Sequence, residues 1–368
     1  MSLNADPRPR RVLMVGAYDP DYPRHAILKA GLQAAGIEVI ERRLPPQATT
    51  RERFGLLMRS RQALSRCDAM LLPAFNQVIA PAAGALARLA GKPLLVDYMV
   101  GLADVDVDRG TVGARRAALH RAIDRYNLRH FAMMTDTDAH RWAFARLLDV
   151  PVERLHVVPV GARAEWLDAA PVPTRAAGDP LVVGWVGTYI PFQGVAVILE
   201  AAALLRDDPS IRFELIGRGQ TYAQSIELAR VLNLANVTFL NEFYSLPQLL
   251  PRLARSTILL GVFGATDKTD YVVPNKVYDG LAFGRPVITA EAAALREFFT
   301  PGEHLITVPP GDAAALAAAI RALASDPDRI QALGAAGVRR IREAFLPAHI
   351  GERVAAIFDR LTQRLDHI

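Results

Sequence analysis

The chain has one cysteine, Cys67, in 368 residues. No internal disulfide can form, and no metal site can be built on cysteines. Lysine is almost as scarce: Lys29, Lys92, Lys268 and Lys276 stand against 39 arginines. No apolar run approaches the roughly 20 residues that would cross a bilayer. The opening MSLNADPRPRR lacks the apolar core of a secretion signal, so a cytoplasmic location is expected. The histidines (His25, His120, His130, His140, His156, His304, His349, His367) are dispersed. None falls into H-x-x-x-H or H-E-x-x-H spacing, and no metal is expected. There is no G-x-S-x-G elbow and no Walker A loop. No G-x-G-x-x-G follows either leading strand, which argues against a dehydrogenase. Short repeats and low-complexity tracts are absent.

What is present is an apolar chain, 51% hydrophobic, too long for one ordinary core. Two domains of similar size follow. Net charge is +5 and the isoelectric point is near 9.5, so nucleic acid, anionic membrane and phosphorylated substrates are the partner classes to weigh. Genome composition is an equally good source of the arginine. Arg51, Arg53, Arg59, Arg61 and Arg66 interleave with Phe54, Leu56, Leu57, Met58 and Leu64. Arg121, Arg125 and Arg129 share one helix face. Both segments suit peripheral contact with an anionic membrane. Neither has the aromatic–basic interleaving of a single-strand groove, and no nucleic acid is expected.

Strand and helix alternate along the chain. Arg11 to Gly16 reads as a buried strand entering a loop, followed by a helix near 24–35 and a strand at 38–40. Apolar runs recur at 68–72, 93–97, 131–135 and 155–159. At 168–180 three prolines and no periodicity mark a linker. The alternation restarts with strands at 181–186, 211–216, 237–240, 257–262 and 305–308, and helices between and after them. The expected fold class is α/β, two doubly wound Rossmann-like domains facing a cleft. The boundaries are 1–167, the linker 168–180, 181–345, and a C-terminal helix 346–368.

Ligands of doubly wound sheets bind beyond the carboxyl ends of the strands, so the loops there are the candidates. Gly16 opens the first, and Arg24 begins the helix after it, placed to hold a phosphate. Asp97 ends a strand of the first half, as a cap or as a group that faces the cleft. Gly187, Thr188 and Gln193 lie in a loop that leads into a helix, a phosphate cradle. Gly217, Arg218 and Gly219 end the next strand, where small neighbours let a guanidinium bridge two phosphates.

The stretch Pro274-Asn275-Lys276-Val277-Tyr278-Asp279 followed by Gly284-Arg285-Pro286-Val287-Ile288 carries the most information. It reads as a helix opening on Pro-Asn-Lys, a turn, and a buried strand. A helix N-terminus offers unpaired N–H groups and a positive dipole end. Lys276 adds a full charge, and Asp279 lies one turn on, an acceptor for sugar hydroxyls. The rival reading is an ordinary helix–turn–strand unit with a chance lysine.

Val183-Gly184-Trp185-Val186-Gly187 with Gln193-Gly194, then Leu215-Ile216-Gly217-Arg218-Gly219, then the Pro274 to Ile288 stretch, resemble the donor-binding domain of GT-B glycosyltransferases. The nearest group is the retaining family 4, which includes bacterial cell-surface polysaccharide transferases. The resemblance spans the second half in order and spacing. In the first half Tyr22-Pro23-Arg24 and Val158 to Gly161 are similar more loosely. It implies a transferase of hexosyltransferase type that takes a nucleotide-diphosphate sugar as donor and needs no cofactor. It also implies a final helix that crosses back to the first domain. The acceptor would be a glycan or lipid-linked hydroxyl at the inner membrane face.

In this reading Arg218, retained from the family pattern, and Lys276 stabilise the leaving diphosphate, and Asp97, from its place at a strand end, is a candidate to position the acceptor. Gly16, Arg24, Gly187, Thr188, Gln193, Gly217, Tyr271, Asn275 and Asp279 would bind substrate. Two positions depart from the pattern. Gln193 stands where the family has Lys, and Tyr271 where it has the first of two glutamates; Asp279 stands for the second. Those departures keep open a nucleotide-sugar-binding protein without turnover, and a GT-B epimerase acting on the nucleotide sugar is a further alternative.

Overall fold

The computed structural model describes residues 9–103, 113–169 and 179–366. The chain forms two compact units: Met1–Gly161 with Phe345–Ile368, and Ala162–Ala344. Of the stretch read as a linker, 170–178 lie outside the described residues, as does His367. The contacts divide the chain after Gly161, several residues before that linker. The reason is Trp166, buried in the short helix Ala164–Asp168. Its ring meets Phe283 edge-on at 5.4 Å and ties the helix to the second unit.

Unit 1 is a six-stranded parallel sheet of β1 (Arg11–Ala17), β2 (Glu38–Leu44), β3 (Ala69–Leu72), β4 (Leu94–Asp97), β5 (Ala132–Thr135) and β6 (Leu155–Val157). The order is β2-β1-β3-β4-β5-β6. Successive residues of one strand enter different cores: Leu13 and Val15 one, Val12 and Met14 the other. Both faces are therefore covered, as a parallel sheet requires. Strand β2 runs on to Leu44, past the apolar 38–40, because it is an edge strand whose polar residues stay partly exposed. The last helix, Pro347–Asp366, closes one core with Ile350, Val354, Ile357 and Phe358. It lies against helix Pro23–Ala34 backbone to backbone: a Cβ on Gly351 would sit 1.9 Å from the Gly31 carbonyl oxygen.

Unit 2 repeats the plan with β7 (Leu181–Val186), β8 (Ile211–Ile216), β9 (Val237–Leu240), β10 (Ile258–Leu260), β11 (Val287–Ala290) and β12 (Ile306–Val308). All are parallel, in the order β12-β11-β10-β7-β8-β9. Trp185, Phe213, Leu215 and Leu260 fill its core with Ile198, Leu199, Leu316 and Ile320 from the helices. Strand order reverses between β1 and β3 in unit 1 and between β7 and β10 in unit 2. At such a switch point two loops leave in opposite directions and open a crevice. No helix among the described residues is long and apolar enough to cross a membrane.

Candidate functional site

The loops after β7, β8 and β10 pack against one another at the unit 2 switch point. A Cβ on Gly217 would lie 1.9 Å from the Gly187 carbonyl oxygen, so only glycine fits there. Tyr189 N–H donates to the Arg218 carbonyl at 3.1 Å, and Phe263 N–H to the Gln193 carbonyl at 3.2 Å. This backbone framework fixes the strand-end edge before any side chain is placed.

Lys276 stands over that edge. It lies in the first turn of helix Asn275–Ala282, whose Pro274 cap supplies no side-chain acceptor. Its ammonium donates to Gln193 Oε1 and sits 4.2 Å from the centre of the Trp185 ring. A Cβ on Gly187 would come within 2.6 Å of Nζ, so the glycine leaves room for the cation. Burial holds the Lys276 pKa well below the ordinary lysine value. One amide oxygen and one π-face are weak compensation for a desolvated charge.

Asp279 follows three residues later, on the same helix face. Its Oδ1 is buried and without a hydrogen-bond partner. Burial pushes its pKa up to about 7, and the nearby Arg163 charge works against that rise. A half-desolvated cation and a half-desolvated carboxyl thus lie on one short helix, neither neutralised by the other. Asn275 is half-buried beside them.

Arg218 is exposed, and its guanidinium lies 4.7 Å from the centre of the exposed Phe243 ring. Thr188 is exposed. Tyr271 is half-buried against a small cluster of Phe192, Val262 and Val272. Asp270 accepts from Ala293 N–H at 2.8 Å and caps the helix there. The sequence reading missed the parts played by Trp185, Arg163 and Phe243. Trp185 carried a signal, since it precedes Gly187 by two residues and ends on the same side of the strand. Arg163 and Phe243 carried none.

In unit 1 the candidates behave differently. Arg24 and Asp97 are fully buried and bind each other: Nε donates to Oδ2 at 3.0 Å and Nη2 to Oδ1 at 3.1 Å. Arg24 Nη1 donates to the carbonyls of Val158 and Pro159, both at 2.8 Å. The guanidinium ties helix Pro23–Ala34 to the end of β4 and to the segment that follows β6. A phosphate contact at Arg24 and an acceptor contact at Asp97 are therefore corrected to one structural ion pair. Gly16 is likewise a packing position, since a Cβ there would meet the Asn76 side chain at 2.7 Å. Among the described residues no group of three or more His, Cys, Asp or Glu is placed to hold a metal ion.

Residues 180–326 match the family described as "Glycosyl transferases group 1". The chain has no match among curated protein sequences. Among solved structures it is similar to Anabaena Alr3699/HepE in complex with UDP-glucose, at 16% identity and a TM-score of 0.70, covering 97% of this chain and 100% of that one. It is similar to the sucrose-phosphate synthase tll1590 of Thermosynechococcus elongatus, at 19% identity and a TM-score of 0.70, covering 96% and 99%. A third is a UDP-forming α,α-trehalose-phosphate synthase of Burkholderia vietnamiensis, at 14% identity and a TM-score of 0.65, covering 95% and 96%. The fold is GT-B, two Rossmann-like domains. The family match over the second unit, where Lys276 and Asp279 lie, supports a glycosyltransferase.

Proposed function

We propose that the protein is a retaining glycosyltransferase of the hexosyltransferase type, in the manner of family 4. It moves a sugar from a nucleotide-diphosphate donor to a hydroxyl acceptor in cell-surface glycan or glycolipid synthesis. The observation that carries the reading is the Lys276–Gln193–Trp185 cluster at the unit 2 switch point. An ammonium whose pKa is depressed by burial gains most from an anion, because the anion supplies the charge that water no longer does. Breaking the sugar–phosphate bond builds negative charge on the leaving diphosphate. Lys276, the unpaired N–H groups at Asn275 and Lys276, and Arg218 are placed to oppose that charge as it develops. Gln193 orients Lys276 instead of adding a second cation. Asp279 is assigned to the ribose, whose hydroxyls would satisfy its free Oδ1.

UDP and UDP-glucose are bound by the Anabaena neighbour, and a UDP- or GDP-linked sugar is the donor we assign here. No resident cofactor enters this scheme. The acceptor is a glycan or a lipid-linked hydroxyl reached at the inner membrane face by a cytoplasmic, peripheral protein. Exposed Phe54, Met58, Leu119 and Tyr126 lie on the two arginine-bearing helices Thr50–Arg59 and Ala114–His130 and suit that contact.

Calorimetry with UDP-glucose and GDP-mannose tests the donor site. Lys276→Ala should weaken binding of whichever donor binds roughly 10- to 100-fold. Unchanged affinity would remove Lys276 from the diphosphate site. Retention is read from the anomeric configuration of the first product by NMR. Binding with no transfer or hydrolysis over long incubation would instead favour a binding protein without turnover.

A further inference from the structure

Unit 2 has a second concave feature, a cleft of about 720 Å³. That size is ordinary for a small-molecule site, roughly 300–1,000 Å³. It lies beside Gly284-Arg285-Pro286, the turn that leads into β11, and so at the amino end of that strand. Lys276 stands at the opposite, carboxyl edge of the sheet. Helix Asn275–Ala282 separates the two places: Lys276 is in its first turn, and Ala282 at its end lines the cleft. The long wall is one face of helix Pro327–Ala344, carrying Gln331, Ala335, Val338, Arg339 and Arg342 at helical spacing. Glycines seat that helix on the turn. A Cβ on Gly334 would lie 2.4 Å from the Gly284 carbonyl oxygen, and one on Gly337 would lie 2.8 Å from the Leu281 side chain.

The wall is divided along its length. Ile330, Ala335 and Val338 come first and are apolar; Arg339 and Arg342 follow. From Gln331 to Arg342 is roughly 16 Å of helix. Both arginines are exposed, and neither has a hydrogen-bond or ion-pair partner among the described residues. Glu343, the acid among the lining residues, lies 3.9 Å from Arg340 instead. A third cation sits in the wall itself. Arg285 is 5% exposed, and its Nη2 donates to the Ala254 carbonyl at 2.7 Å. No carboxylate pairs with it among the described residues. A charge left uncompensated in a low-dielectric wall makes the cleft potential positive without having to touch a ligand.

We propose that this cleft binds an amphiphile made of one aliphatic chain with a phosphate monoester head. The chain runs along Ile330, Ala335 and Val338, and the head meets Arg339 and Arg342. A phosphate monoester carries roughly −1.5 to −2 charge at pH 7, which matches two free guanidinium groups. Its oxygens also accept the paired N–H groups of a guanidinium fork. A carboxylate brings a single charge and leaves one arginine unmet. A small polar phosphate buries nothing against the apolar half of the wall. The site lies within unit 2 and does not rest on the donor reading.

Calorimetry on the full chain tests the cleft, with dodecyl phosphate as probe, below the concentration at which it forms micelles. Dodecanoate, dodecyl maltoside and inorganic phosphate are the comparisons. Dodecyl phosphate should bind at one site, and each of the others roughly tenfold or more weakly. The double variant Arg339→Gln with Arg342→Gln should weaken dodecyl phosphate by roughly tenfold or more and erase its preference over the maltoside. Ala335→Trp fills the cleft from an exposed position and should block binding with Tm kept. No binding by the wild-type chain overturns the site, whether a second copy or the chain itself covers the cleft. Undiminished binding by either variant overturns it as well. A match by dodecanoate overturns the phosphate head, a match by the maltoside overturns the anionic head, and a match by inorganic phosphate overturns the aliphatic chain. UDP-glucose or GDP-mannose titrated into the same variants should bind as it does to wild type, which keeps failure of the cleft distinct from failure of the donor site.

Discussion

The two units share a plan and treat their strand-end charges in opposite ways. In unit 1 the buried cation meets its anion: Arg24 and Asp97 form two hydrogen bonds, and two carbonyls take up Arg24 Nη1. In unit 2 Lys276 has an amide and a ring, and Asp279 keeps a buried oxygen with no partner. Charges satisfied from within the chain hold the chain together. Charges left short are where a ligand can add binding energy. Position at a sheet edge does not distinguish the two cases, and the count of remaining donors and acceptors does.

The largest test strikes the satisfied side. Arg24→Ala would leave Asp97 buried without its partner and should cost about 3–5 kcal/mol of stability. Thermal unfolding should show a large loss of Tm, while the fraction still folded binds donor normally. A variant with wild-type Tm and no donor binding would reverse the assignment of that pair.

Asp279→Asn makes the opposite test. The Asp279 carboxyl has its pKa raised from 3.8 to about 7 in the folded chain. Its protonated form is the one that folding favours, so its contribution is fully present below pH about 4. That contribution is lost as pH rises through about 7. The variant should be more stable than wild type at pH 8 by about 1–3 kcal/mol, with a flatter Tm slope between pH 4 and 7. It should also bind donor more weakly. An unchanged pH slope would mean that Asp279 is not the desolvated group.

The finest test uses two glycines. Gly16→Ala presses on Asn76, which four hydrogen bonds hold in place, and should cost about 1–3 kcal/mol of stability. Gly187→Ala presses hardest on Lys276 Nζ, the free end of a flexible chain, and more lightly on the buried Trp185 ring at 3.0 Å, so it should lower Tm less than Gly16→Ala does. Donor affinity should instead fall by roughly tenfold in calorimetry, as the ammonium is pushed aside. Equal effects of the two on Tm would erase the distinction between the edges.

The strands were legible because a parallel sheet buried on both faces writes each one as a short apolar run. Edge strand β2 was read short, since its outer half is polar. The helix at Asn275 was legible from its Pro-Asn-Lys opening, and the rarity of lysine drew attention to Lys276. Arg24 looked equally free in the sequence. Its partner is 73 residues away, and local pattern does not reveal whether a strand-end arginine turns outward or inward. The approach of Lys276 to Gln193 spans 83 residues and was out of reach for the same reason. Phe75, which follows β3 with φ at +68°, gave no warning, because its positive φ falls on a residue type with no turn preference. The division after Gly161 depends on Trp166 meeting Phe283, another distant pair.

The seam between helices Pro23–Ala34 and Pro347–Asp366 has a consequence for synthesis. Unit 2 is a single uninterrupted stretch, 162–344, while unit 1 begins before it and ends after it. A ribosome therefore delivers all of unit 2 before unit 1 receives Ile350, Val354 and Phe358. The segment made first is completed last. During that interval the apolar residues of helix Pro23–Ala34, among them Ile27, Leu28 and Leu32, lack their final cover. The nascent chain is most exposed to chaperones and proteases at its oldest end.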